Sequence, residues 1–215
     1  MQGPSKRSTV KRNARRAVYE RDQLMDILHA QQICHVAYVE QGEPRIIATL
    51  YFCDEEYLYL HGNRQAAYLR HLLDGGEATV SVMLIDGVVV ARSGFHCSMN
   101  YRSVTVFGNG EMVPDGEHET ILNKFVERLV PGHQQAVRAA TSQELAATAV
   151  ARIPLTEMSA KVRGGDPIDD ESDLTSNVWA GQIPVRTETL SPINSEDLDA
   201  GIDVPDYIKN FQFRG

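Results

Sequence analysis

The densest run of chemistry-bearing side chains is Arg92-Ser93-Gly94-Phe95-His96-Cys97-Ser98-Met99-Asn100-Tyr101-Arg102-Ser103. It combines two arginines, three serines, a histidine, an asparagine and a tyrosine with no acidic residue. Arginine offers a fork of donors and Ser and Asn offer directional ones, a set suited to an anion with several acceptor oxygens. The same side chains also suit a hydrogen-bonded connector between two apolar strands, and composition leaves both readings open. His61 and His96 stand at expected strand ends close to Gly or Ser, and with Tyr101 they are the candidate catalytic groups. His29, His35, His71, His118 and His133 are scattered singly and read as surface or satisfied histidines. There is no GxSxG, HExxH, CxxC or P-loop to indicate a hydrolase, metal or nucleotide-triphosphate site.

The elements that must position these groups are mostly short strands. Apolar residues at Val18, Leu24, Ile27 and Leu28 predict an amphipathic helix within Ala17–Ala30. Three strands follow, over Cys34–Glu40, Arg45–Cys53 and Tyr57–His61, with short turns between them, which is an antiparallel meander. Gly62 and Asn63 should end the third strand, and Gln65–Leu73 reads as a helix stopped by Gly75-Gly76. Asp86-Gly87 is the strongest short turn signal and predicts a hairpin between Ala78–Leu84 and Val88–Ala91. Tyr101–Gly108 alternates as a strand, and Gly110–Val113 extends it. Glu117–Leu129 is an expected helix with Asp115 as its cap, and Ser142–Ala149 is another. Ala151–Ser159 is an expected final strand. Short strands without a βαβ rhythm predict a mainly β fold, an antiparallel barrel with peripheral helices.

Chain-wide properties exclude several classes. The 215 residues carry 21 Lys+Arg against 29 Asp+Glu, a formal net charge of -8, which argues against general nucleic-acid binding. No stretch has the roughly 18 consecutive apolar residues of a membrane helix. Cys34, Cys53 and Cys97 are too few and irregular for a disulfide framework or a zinc site, and they read as buried free thiols in a reducing, cytoplasmic setting. Residues 1–16 hold six basic residues and no acid, without the apolar run of a secretory signal, and are expected to be a disordered basic arm. Residues 17–185 would form the barrel domain, and 186–215, rich in Pro, Ser and Asp, an extended C-terminal arm.

The run ARSGFHCSMNYRSVTVFG resembles the signature of the flavin-nucleotide-binding split-barrel family, related to pyridoxamine 5'-phosphate oxidase and the nitroimidazole-resistance reductases. YLYLHGN, the Asp86-Gly87 and Arg92-Ser93 pairs, MSAKVRGGDPIDDESD and VWAGQIPV resemble further motifs of that family in the same order, from Ala17 to Val185. The resemblance implies a six-stranded split β-barrel and a homodimer that binds FMN in two grooves at its interface. It implies that Thr49 faces the flavin ring, that His61, Gly62 and Asn63 lie near the phosphate or ribityl chain, and that Ser93, Asn100, Tyr101, Arg102 and Ser103 build the pocket wall. Lys161 and Trp179 would reach the flavin edge. For Lys161 and Arg163 the competing expectation is pairing with the acids at 169–173, and for Trp179 a core or interface role. One departure stands out: where family members place a phosphate-binding Ser-Arg or Ser-Lys pair, this chain has Ala66-Ala67, with Arg64 as a possible substitute.

The resemblance implies an FMN-dependent oxidoreductase acting on a small molecule. The Ala66-Ala67 departure keeps other readings beside it. These are a haem-binding barrel with His61 or His96 as axial ligand, a flavin-independent descendant using His61, His96 and Tyr101 for acid–base or isomerising chemistry, and a non-catalytic binding protein.

Overall fold

The computed structural model describes residues 5–114 and 116–213. Its strands are β1 (Ala17–Val18), β2 (Ile33–Glu40), β3 (Glu43–Cys53), β4 (Tyr57–Asn63), β5 (Glu77–Val90), β6 (Ser98–Asn109), β7 (Glu111–Met112), β8 (Thr148–Pro154), β9 (Met158–Arg163) and β10 (Gly181–Pro184). All pair antiparallel in the order β1-β9-β6-β5-β2-β3-β4-β8-β7, with β10 added to β5. The meander is the β2-β3-β4 run, and the short turn from β8 to β9 joins the two wings of the sheet into a barrel. The expected split barrel is therefore present, with ten paired segments rather than six strands.

Alternation decides what each strand buries. Val80, Val82, Val104, Val106, Leu58, Leu60 and Ile153 point into one core with Val36 and Tyr51. Helix α1 (Arg21–His29) covers it with Leu24, Met25, Ile27 and Leu28, and α2 (Ala67–Leu73) adds Leu69 and Leu72. The β3-β4-β8 wing is buried on its second face too: Phe52, Tyr59 and Val150 lie beneath Ile121 and Phe125 of α3 (His118–Leu129). Phe52 stacks on Tyr59 at 4.6 Å between ring centroids and meets Phe125 edge-on at 4.7 Å.

Several boundaries differ from expectation for identifiable reasons. Asp86-Gly87 makes no hairpin. β5 runs through it as one 14-residue strand, with a bulge in its pairing to β6 between Ile85 and Gly87. Glycine is required there because β10 passes close by: a Cβ on Gly87 would sit 2.8 Å from the Ile183 carbonyl oxygen. β4 continues through Gly62-Asn63 because both residues pair with β8. The expected Ala151–Ser159 strand is two strands, β8 and β9, broken at Leu155–Glu157. α4 (Ser142–Ala147) opens on a capping box between Thr141 and Glu144. The proposed cap Asp115 lies outside the described residues.

The basic arm is not a free tail over its described part. Ser8 is buried, and Arg7 pairs with Glu77 and Glu157 and lies over the Phe107 ring. The acids that hold it come from β5 and the β8–β9 turn, which no local pattern in residues 1–16 reveals. Beyond Val185 the chain is mostly exposed, with one short helix, α5 (Asp206–Lys209), whose Tyr207 hydroxyl meets His133 Nδ1 at 2.9 Å. All three cysteines are free, but only Cys34 is fully buried. Cys97 is exposed, with its sulfur between the Ala91 N–H and the Ser93 carbonyl. No helix among the described residues is long and apolar enough to cross a membrane.

Candidate functional site

The acid-free cluster does not form one open anion pocket, because carboxylates from distant segments close on it. Arg92 is held by Asp169, whose Oδ1 accepts from the Arg92 backbone N–H and whose Oδ2 accepts from the guanidinium, both at 2.8 Å. His96 Nε2 lies 3.1 Å from Asp170. Arg102 forks onto Asp86 at the β5 bulge, at 3.0 and 3.1 Å from Nε and 2.7 Å from its terminal nitrogen. The carbonyl of Ser93 accepts from the His96 backbone N–H, so Ser93 stabilises the turn at Gly94–His96.

Strand alternation also divides the cluster between two faces. Asn100 and Arg102 share the side of Val104, whereas Tyr101 and Ser103 face the other way. Asn100 is buried and structural: its amide nitrogen donates to Gly165 O at 3.2 Å and Gln182 Oε1 at 2.7 Å, and its oxygen accepts from Arg163. On the outer face, register aligns Lys161, Ser103 and Met83 across β9, β6 and β5, and aligns Arg163, Tyr101 and Ile85 in the next row. Met83 and Ile85 are about half exposed there, at 54% and 49%, although they sit mid-sheet. Trp179 lies two residues before β10, at the Val90 end of β5, and is 63% exposed, which rules out a core role within one chain.

The other expected residues gather at the β4–α2 corner. Thr49 points toward the barrel side of β3, opposite Cys34. Tyr68 of α2 lies against Thr49 and donates its hydroxyl to the His61 carbonyl at 2.9 Å. A Cβ on Gly62 would come within 2.9 Å of that same hydroxyl, so a side chain there would displace Tyr68. Arg64 spends its backbone N–H and Nε on the carbonyls that end α4, at 3.0 and 3.3 Å from Ala147 and Ala146. Asn63 accepts from the Gln65 backbone N–H through its side-chain oxygen, at 2.8 Å. Ala66 caps α2 with no side-chain hydrogen bond.

His61 itself faces the α3 layer. Its ring lies 4.1 Å from that of Phe125, and its Nδ1 is buried without a hydrogen-bond partner. Burial pulls its pKa below the ordinary histidine value, so the imidazole is neutral with a free lone pair near pH 7. His118, expected to be satisfied, also has a buried ring nitrogen, Nε2, without a partner. A third orphaned atom is Nε of Arg163, a residue only 7% exposed. The expected pairing of Arg163 with the acids at 169–173 does not form. Its guanidinium reaches Asn100 and the carbonyls of Gly165 and Asp166 instead. Sequence patterns miss Tyr68 and Phe125, which read as ordinary helix core, and Arg16, which reads as part of a solvated arm.

The sites thus fall into two groups, a neutral histidine under α3 and a half-apolar outer face bearing Tyr101, Ser103 and Lys161. Residues 20–162 match the family described as pyridoxamine 5'-phosphate oxidase. No curated protein matches the sequence. Among solved structures, the flavocytochrome Anf3 from Azotobacter vinelandii superposes with a TM-score of 0.91 at 33% identity, covering 97% of each chain. The FAD and heme binding protein from Mycobacterium smegmatis gives 0.89 at 33% identity, covering 93% of this chain and 100% of that one. A 5-nitroimidazole antibiotic resistance protein from Bacteroides thetaiotaomicron shares the fold, at 0.57 and 17% identity over 68% of this chain and 86% of that one.

Proposed function

The chain belongs to the pyridoxamine 5'-phosphate oxidase family, and from that premise we propose that it is a flavin- and haem-binding redox protein, an oxidoreductase passing electrons from a small-molecule donor. The observation that carries this reading is His61. An imidazole kept neutral by burial, with a ring nitrogen that no protein group satisfies, has the electronic state an iron ligand needs. His96 is the weaker ligand candidate, because Asp170 holds its ring nitrogen. Two relatives similar over nearly the whole chain are described as a flavocytochrome and as binding FAD and haem, which is why both cofactors belong in one proposal.

The outer face suits a flavin ring. Met83 and Ile85 offer apolar surface and Tyr101 an aromatic edge. FMN, which the sequence motifs imply, and FAD share that ring, so the same face serves either. When bound, a flavin exchanges electrons singly or in pairs and a haem iron one at a time, so together they link a two-electron donor to one-electron transfer. The protein's part is to orient and tune. The α3 layer covers His61 Nδ1.

Two copies of the chain are part of the proposal. The outer-face residues lie on β5, β6 and β9 and the other expected residues on β3, β4 and α2, and a site shared between two copies would join them. A second copy would also cover Ile46, Met83 and Trp179, which are 67%, 54% and 63% exposed. The absorption spectrum of the purified protein tests the whole reading. A Soret band with flavin absorption is expected, and His61→Ala should lose the first and keep the second. A protein that binds neither cofactor on reconstitution sinks the proposal, and a monodisperse monomer near 23.9 kDa in light scattering sinks the shared site.

A further inference from the structure

The carboxylates that close on Arg92, His96 and Arg102 leave three neighbouring cations uncompensated. Arg163 ends β9, its guanidinium turned to Asn100 and the carbonyls of Gly165 and Asp166, and Lys161 lies two residues before it. Arg16 immediately precedes Ala17, which is the register partner of Lys161 across β1 and β9. None of the three forms an ion pair among the described residues. Arg163 is 7% exposed and its Nε has no partner, while Arg16 and Lys161 are half-buried. Burial, and with it repulsion from the Arg16 charge, pulls the Arg163 pKa below an ordinary guanidinium's. A folded chain that buries one guanidinium and sets two more cations near it, with no carboxylate paired to any of the three, is poised for an external anion. A net charge of -8 on the whole chain makes this local excess a built feature rather than a general basic surface.

We propose that Arg16, Lys161 and Arg163 form a pyrophosphate subsite, with the Ser103 hydroxyl beside it on β6. Three cations exceed what a single phosphate monoester needs and match the two linked phosphates of a dinucleotide. The occupant rests on the flavin reading above: the subsite would hold the pyrophosphate of FAD, where the missing Ser-Arg pair at Ala66-Ala67 would leave FMN poorly held. It also gives the ordered basic arm a role, since β1 delivers Arg16 to β9.

The test uses the full-length chain freed of bound nucleotide, titrated by calorimetry with inorganic pyrophosphate, FAD, FMN, riboflavin and NADH. Wild type should bind pyrophosphate, and Arg16→Ala and Lys161→Ala should each weaken it by roughly tenfold or more. FAD should weaken in parallel while riboflavin does not. Arg163→Gln is informative only if it folds, so the two flanking variants carry the result. If NADH affinity falls and FAD affinity does not, the pyrophosphate subsite stands and its source is the electron donor rather than the cofactor. Failure of pyrophosphate to bind wild type, or equal binding to the variants, overturns the subsite. Pyrophosphate binding in a chain that takes up no flavin keeps the subsite and overturns the flavin reading instead.

Discussion

Replacing Arg102 with alanine separates two views of the Arg92–Ser103 cluster. If its guanidinium gripped a cofactor phosphate, the variant would lose more than tenfold in flavin affinity at little cost to the fold. The structure instead commits Arg102 to Asp86 through three contacts of 2.7–3.1 Å. At about 3 Å, two unit charges attract by roughly 1.4 kcal/mol in bulk water and about 5 kcal/mol at an effective dielectric near 20. The two side chains are 37% and 33% exposed, so solvent screening and desolvation remove most of that, leaving about 1 kcal/mol. Arg102→Ala should therefore lower the melting temperature by about 2–4 °C for a chain of this size. Asp86→Ala should do the same, and the double variant should lose no more than either alone. Flavin affinity, followed by quenching of flavin fluorescence, should stay within about threefold of wild type, since no cofactor contact is removed. A tenfold loss of flavin binding in Arg102→Ala at unchanged melting temperature would refute this, and would mean that Arg102 leaves Asp86 for the ligand.

Gly87→Ala should force β10 away from β5, because its Cβ would lie 2.8 Å from Ile183 O. A destabilisation of about 1–3 kcal/mol is expected, with an early urea transition seen by Trp179, the single tryptophan, before the far-ultraviolet signal changes; coincident wild-type midpoints would reject the close approach. Because His61 is held neutral by burial, the unfolded chain binds the extra proton as pH falls through 6.5. The cofactor-free protein should therefore lose stability from neutral pH downward until the lower folded pKa is passed, and His61→Leu should flatten that slope in urea midpoints; an identical slope in both would rule out the buried neutral imidazole. Arg7→Ala should cost only about 0.5–1 kcal/mol, since its ion pairs are partly exposed. It should, however, speed amide exchange at Thr9 and Val10, whose N–H groups bond Ser5 O and Tyr19 Oη; random-coil exchange there in wild type would restore the disordered arm.

Local pattern carried the strands, because a period of two with one buried face is written residue by residue in segments such as Ala78–Leu84 and Tyr101–Gly108. The order of motifs from YLYLHGN to VWAGQIPV was enough to indicate the family, and the substitution at Ala66-Ala67 was visible as a departure from it. Partnership was not legible. Asp86-Gly87 has the composition of a hairpin, and only the passage of β10, almost a hundred residues later, makes it a bulge inside one strand. Arg92, His96 and Arg102 looked like free anion donors because their carboxylates lie far along the chain or across a bulge. Arg16 and Arg163 looked unremarkable because being uncompensated is a property of three-dimensional surroundings, and no sequence neighbour records it. Electrostatic pairing acts over a few ångströms of space and is indifferent to chain distance, so the site's chemistry was decided by the fold even where its residues were named by the sequence.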